Sequence, residues 1–116
     1  MRRGDIHLVD FEPARGSEGD KQRPAIVVSQ DAANVAASRF GRGVITVVPL
    51  TTNVTRLYPF QVLLPSLRTG LVADSKAQAE QVQAVDVGRV GDRLGLVPAS
   101  LMDRLDDALR LHLDLG

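Results

Sequence analysis

Short runs of valine, isoleucine and leucine, each soon cut off by glycine, proline or a polar cluster, do most to restrict what this chain can fold into. Residues 6–11, 23–29, 43–50 and 60–64 are runs of this kind. Their lengths and β-branched content read as strands, and the Gly, Pro, Asn, Asp and Ser between them as turns. Several short strands at this spacing predict a small barrel. Residues 79–86 add an extended segment in which Val82 and Ala84 alternate with Gln81 and Gln83, and 94–97 add a last short strand. Residues 31–37 predict a brief helical turn with Asp31 as its cap. The clear helix is terminal: Ser100 and Asp103 have capping-box spacing, and Leu101, Leu105, Ala108, Leu109 and His112 recur on one face. The fold class is therefore mainly β (α+β), a small barrel of short antiparallel strands with a C-terminal helix. No repeat, low-complexity tract or linker divides it, so 1–116 reads as one domain.

Composition narrows the chemistry. Apolar residues make up 44% of the chain but aromatics only 3%, so the core must be aliphatic. Cysteine is absent, which excludes disulfides and thiolate metal sites, and His7 and His112 alone make a poor zinc set. No metal and no cofactor are expected. The first residues, Met1-Arg2-Arg3-Gly4-Asp5, are basic but no apolar run of signal length follows, and no segment approaches a membrane span. The expectation is a soluble, cytoplasmic protein without a membrane partner. Net charge is zero, yet no carboxylate lies between Asp31 and Asp74, an interval holding Arg39, Arg42, Arg56 and Arg68. A neutral chain distributed in this way can present one basic face to a polyanion.

Within that frame one junction carries chemical interest. The polar, glycine-rich stretch Gly16-Ser17-Glu18-Gly19-Asp20-Lys21-Gln22 leads into Arg23-Pro24 and the apolar Ala25-Ile26-Val27-Val28. The proline holds Arg23 in extended geometry, at the point where loop becomes strand. The run ending at Leu50 is followed by Thr51-Thr52-Asn53, which places hydroxyls and an amide at another strand end. Metal-free RNA cleavage uses the neighbouring 2′-hydroxyl as nucleophile and needs charge stabilised at phosphorus. A guanidinium suits that task, because its planar fork offers several donors and stays charged, and for the same reason it is a poor base. Thr51, with Thr52 and Asn53, can donate to the same phosphate. Glu18 could take a proton, orient Arg23, or pair with Lys21. Glu80 and Gln81 could read base edges. Tyr58, near Arg56, and Phe40, beside Arg39 and Arg42, are candidate stacking rings, whereas Phe11 and Phe60 read as core.

These residues resemble a known family, the MazF/PemK (Kid-like) toxins of bacterial type II toxin–antitoxin systems. The resemblance is carried by Arg3-Gly4-Asp5-Ile6, Asp10-Phe11-Glu12-Pro13 with Gly16-Ser17-Glu18, Gln22-Arg23-Pro24-Ala25-Ile26-Val27-Val28-Ser29, Val48-Pro49-Leu50-Thr51-Thr52 and Ala79-Glu80-Gln81-Val82-Gln83-Ala84-Val85-Asp86, in family order over nearly the whole chain. It implies an SH3-like barrel (a MazF/PemK/CcdB-like fold) and a homodimer whose interface lines an RNA groove. It also implies a sequence-specific endoribonuclease that cuts single-stranded RNA without ribosomes or metal, leaving a 2′,3′-cyclic phosphate and a 5′-hydroxyl. The family's catalytic arginine falls on Arg23, its threonine on Thr51 and its loop glutamate on Glu18. Gln22, Lys21, Thr52, Asn53, Arg56, Tyr58, Glu80 and Gln81 are the accompanying candidates for substrate binding. Gly19 departs from the family, many of whose members carry glutamine there. A cognate antitoxin, with a disordered C-terminal tail that blocks the groove, is the implied partner. The alternative is a non-catalytic, CcdB-like gyrase poison of the same fold, although the chain ends in Leu113-Asp114-Leu115-Gly116 rather than in an aromatic residue.

Overall fold

A computed structural model describes residues 1–11 and 22–116. Among the described residues, seven strands and three α-helices follow in the order β1 (Asp5–Asp10), β2 (Gln22–Val27), α1 (Asp31–Phe40), β3 (Val44–Thr51), β4 (Gln61–Leu64), α2 (Ser66–Thr69), β5 (Ser75–Gln78), β6 (Gln83–Asp86), β7 (Val90–Leu96) and α3 (Ala99–Leu113). The described strands form one sheet, β4-β5-β3-β2-β1-β7, with every pair antiparallel. β6 lies off this path, paired with the first half of β3.

β3 organises the sheet. Along one edge its residues Val44 to Val47 pair with β6, and Leu50 and Thr51 pair with β5, while its other edge pairs with β2. Pro49, with no N–H to offer, falls where that edge changes partner. Successive side chains on a strand point to opposite faces, and here both faces are covered. Ile26, Val48 and Leu50 join Leu101, Met102, Leu105 and Ala108 of α3 in one cluster, and Ala25, Val27, Ile45 and Val47 join Ala37 of α1 in the other. Burial on both sides is why β2 and β3 read as continuous apolar runs instead of alternating ones.

The structure bears out the mainly-β class with a C-terminal helix and changes several boundaries. The segment 31–37 is a full helix to Phe40, so Phe40 ends a helix and is not a loop residue. Gly41 stops it, at φ 65, in the left-handed region that glycine tolerates. Asp31 is not its cap: Gln30 occupies that position without a side-chain bond, and the Asp31 carboxylate accepts from the Arg3 N–H at 2.6 Å. The capping box at Ser100 is likewise absent. Pro98 precedes the first turn of α3, and Ser100 Oγ accepts from Arg68 Nη2 at 3.0 Å. On α3, Leu101, Leu105 and Ala108 are buried as the periodicity predicts, while His112 is exposed. The extended segment at 79–86 divides into a 3-10 turn, Ala79–Gln81, and β6. The last strand begins at Val90, earlier than its apolar residues suggest. β5 has no counterpart among the predicted strands.

Candidate functional site

Strand register brings the candidate residues together. Leu50 and Thr51 of β3 face Ala77 and Lys76 of β5, and Lys76 and Gln78 face Leu63 and Gln61 of β4. Ala77 and Leu50 turn into the α3 cluster, so alternation sends Thr51, Lys76 and Gln78 to the opposite face. Arg23, two residues before Ala25 on β2, shares that face. The polar groups thus stand as an extension of the sheet surface that α1 covers further along.

The half-buried Arg23 is held by two acceptors. Its Nη2 donates to the Leu50 carbonyl at 3.1 Å and to Gln78 Oε1 at 2.6 Å. The Leu50 carbonyl belongs to the peptide that Leu50 makes with Thr51, so the guanidinium ends one peptide away from the threonine. Residues 28 positions apart in sequence therefore meet at one place. Thr51 Oγ1 accepts from the Asn53 N–H at 3.2 Å, and its own proton has no acceptor among the described residues. Asn53 turns back on its own loop, where Oδ1 accepts from the Thr55 N–H at 3.3 Å. Thr52 is exposed beside an apolar hollow of about 180 Å³ lined by Pro24, Gly70, Leu71, Val72, Ala73, Ser75 and Leu94.

The segment between β3 and β4 supplies the aromatic surface. Tyr58 and Phe60 stack with ring centroids 5.4 Å apart and planes within 2°. Arg56 Nη1 donates to the Tyr58 hydroxyl at 3.1 Å, and its guanidinium lies 5.8 Å from the ring centroid. Lys76 is only 7% exposed; its Nζ donates to the Arg56 carbonyl and lies 5.8 Å from the same ring. Phe60 therefore belongs to this wall and not to either core cluster, contrary to the sequence expectation.

The remaining candidates are less close to Arg23. Gln22 is exposed at the start of β2, opposite Asp10 of β1. The Glu80 carboxylate turns inward: Oε2 accepts from Gln61 Nε2 at 2.7 Å, and Oε1 is buried with no partner among the described residues. Gln81 is exposed, in the turn that follows β5. Glu18 and Lys21 lie outside the described residues. Gln78, Lys76 and Gln61 were not singled out by sequence reasoning, since nothing in Ser75-Lys76-Ala77-Gln78 carries an apolar strand signal. No helix among the described residues is long and apolar enough to cross a membrane.

Comparison with known proteins gives the family. Residues 2–113 match the family model of the PemK-like, MazF-like toxins of type II toxin–antitoxin systems. The chain is 57% identical to Endoribonuclease MazF9 of Mycobacterium tuberculosis over 115 residues, 99% of this chain and 98% of that protein. It is 31% identical to Endoribonuclease EndoA of Bacillus subtilis, over 99% of this chain and 96% of that one. Among solved structures, an endoribonuclease in complex with its cognate antitoxin from a mycobacterial species superposes with a TM-score of 0.75 at 26% identity, covering 100% of this chain and 97% of its own. The chain belongs to the family of PemK-like, MazF-like toxins of type II toxin–antitoxin systems, and its activity is that of an endoribonuclease.

Proposed function

We propose that Arg23 and Thr51 form the cleaving centre of this endoribonuclease, and that it cuts single-stranded RNA by attack of the substrate's own 2′-hydroxyl. The observation that carries the reading is the Arg23 Nη2 contact to the Leu50 carbonyl, 3.1 Å long, which anchors a permanent cation to the peptide that joins Leu50 to Thr51. In the reaction the 2′-oxygen loses its proton and bonds to phosphorus. The P–O5′ bond breaks, and the 5′-oxygen takes up a proton. The products are a 2′,3′-cyclic phosphate and a 5′-hydroxyl. Negative charge grows on the non-bridging oxygens as phosphorus becomes five-coordinate, and the Nε–H and Nη1 N–H groups of Arg23 and the Thr51 hydroxyl are donors for it. Tyr58, Phe60 and Arg56 offer a ring-and-cation wall on which neighbouring bases can stack.

The same reading gives the partners. A homodimer with an RNA groove along its interface, and a cognate antitoxin that occludes the groove, are the partners this reading carries; family membership and a relative solved with its cognate antitoxin support the antitoxin. The gyrase-poison alternative is disfavoured by full-length relatives that are endoribonucleases.

Purified protein is incubated with a long single-stranded transcript in excess chelator, and the cut ends are mapped. The expected products recur at one short motif and carry 5′ ends that polynucleotide kinase labels without prior phosphatase. Arg23→Ala should lose at least about a hundredfold in rate with an unchanged circular dichroism spectrum. Wild-type turnover in that variant, or intact RNA alongside inhibited supercoiling by gyrase, overturns the reading. Glu18→Gln in the same assay tests the loop carboxylate: if it accepts the 2′ proton, the rate falls and its pH dependence flattens.

A further inference from the structure

We propose that Gln78 is a positioning residue that aims the Arg23 guanidinium at the scissile phosphate. The inference rests on the reading of Arg23 above and extends it to a residue on β5.

An arginine that must meet a developing charge has a problem of direction. Its side chain has several rotatable bonds, and a guanidinium displaced by about 1 Å can lose about a hundredfold in rate. Here Nη2 makes two hydrogen bonds, to the Leu50 carbonyl at 3.1 Å and to Gln78 Oε1 at 2.6 Å. A guanidinium has five N–H groups, two of them on Nη2. Committing both to the protein turns one end of the fork inward; the Nε–H and the two Nη1 N–H groups have no acceptor among the described residues and are the donors proposed to meet a ligand. A single acceptor would leave the plane free to swing about the one contact, and the second fixes it.

Both acceptors stand on the sheet. Leu50 is opposite Ala77 across β3 and β5, and Gln78, the next residue on β5, is opposite Gln61 across β5 and β4. Gln78 is half-buried, and its neighbour Ala77 is fully buried in the α3 cluster. The amide is thus carried on rigid backbone, as a positioning group needs to be. Its chemistry also suits the task. A carboxylate here would orient Arg23 but cancel much of the charge that the phosphate requires, whereas an amide oxygen accepts the same hydrogen bond and leaves the guanidinium a full cation. The arginine donor fixes the amide's orientation: oxygen faces Arg23, and the NH₂ points away.

The experiment uses full-length protein and a short fluorogenic RNA carrying the motif mapped above. Gln78→Met keeps length and removes the acceptor. Its kcat should fall roughly 10- to 100-fold with KM changed by less than about threefold, since the contact acts on the aim of Arg23 and not on RNA capture. Gln78→Ala is the second variant and should behave alike, so that poor packing of methionine does not decide the result; thermal midpoints confirm that both are folded. In an Arg23→Lys background the same Gln78→Met change should alter the residual rate by less than about threefold, because the group being aimed is gone. Wild-type kcat in both Gln78 variants overturns the proposal. So does an equal loss in the wild-type and Arg23→Lys backgrounds, which is the mark of a merely structural residue. An active Arg23→Ala protein would instead defeat the cleaving centre itself, so failure of the two readings is separable.

Discussion

Gly95 offers the sharpest test of how tightly the sheet and helices are fitted. It pairs with Ile6 of β1, and a Cβ built on it would lie 2.3 Å from the carbonyl oxygen of Thr69 at the end of α2 and 3.7 Å from Ile6 Cδ1. Even to reach 3.0 Å the two backbones would have to part by about 0.7 Å. Neither can do so freely. Thr69 is buried, with Oγ1 bonded to Pro65 and Leu71, and Gly70 N–H closes the turn onto Ser66. Overpacking of this kind costs about 1–3 kcal/mol, while replacing glycine lowers unfolded-chain entropy and returns about 0.4–1 kcal/mol. Gly95→Ala should therefore destabilise by about 1–2 kcal/mol. With about 2.1 cal/mol/K of unfolding entropy per residue over 116 residues, the midpoint should drop by roughly 4–8 °C. Gly88→Ala is the control, because its Cβ would meet only the Asp86 Oδ1 side-chain atom, at 3.1 Å, on an exposed turn. Thermal melts at one fixed protein concentration decide the matter. A Gly95→Ala protein as stable as wild type would show that α2 and β7 are not held at this separation.

Asn34 is fully buried, with Nδ2 donating to the Ser29 carbonyl at 2.8 Å and Oδ1 accepting from Ser29 Oγ, which itself accepts from the Thr46 N–H at 3.1 Å. Asn34→Ala should lose about 1–3 kcal/mol in urea unfolding, because it deletes two hydrogen bonds to the half-buried Ser29; no shift in the urea midpoint would refute that. The Asp31 carboxyl is held below its ordinary range, chiefly by the Arg3 backbone N–H. A depressed carboxylate stabilises the fold above the unfolded pKa and loses that contribution as pH falls through the folded one. Asp31→Asn should therefore narrow its deficit to wild type in acid melts below the ordinary carboxylate range, and a deficit constant with pH would count against the linkage. Lys76→Met keeps the apolar stem and deletes the Nζ contact to the Arg56 carbonyl. Stability should change by no more than about 1 kcal/mol, while KM for RNA rises several-fold as the Tyr58 wall loosens; an unchanged KM would free the loop from dependence on Lys76.

The elements most legible from sequence were those in which hydrophobic pattern and tertiary placement agree. The Ala25–Val27 part of β2 and most of β3 are apolar because both their faces are covered there, and α3 shows a helical period because one stripe packs on the sheet. β5 was invisible for the opposite reason. Its Ser75, Lys76 and Ala77 are buried, but two of the three are polar, and their burial is sustained by contacts from distant segments, such as the Lys76 bond to Arg56. β7 was truncated because Gly91, Asp92 and Arg93 carry no strand signal; pairing with β1 makes them strand. Local capping signals also misled. Ser100 and Asp31 are good caps in isolation, yet Arg68 and Arg3 engage them across the fold.

The site divides along the same line. Arg23 and Thr51 could be found because each sits at the end of an apolar run, a position that sequence marks. Gln78, Gln61 and Lys76 could not, since nothing local distinguishes a glutamine that binds Arg23 from one in solvent. This split has a chemical counterpart. Arg23, Thr51 and Gln78 are strand residues, fixed to one another through β2, β3 and β5, as charge stabilisation at phosphorus demands. Thr52, Asn53, Arg56 and Tyr58 are carried by the segment between β3 and β4, and its surface can be remodelled without disturbing the strands. On the proposed assignment, cleavage chemistry belongs to the rigid part of the fold and base recognition to the replaceable part, an arrangement in which one sheet could serve different sequence preferences.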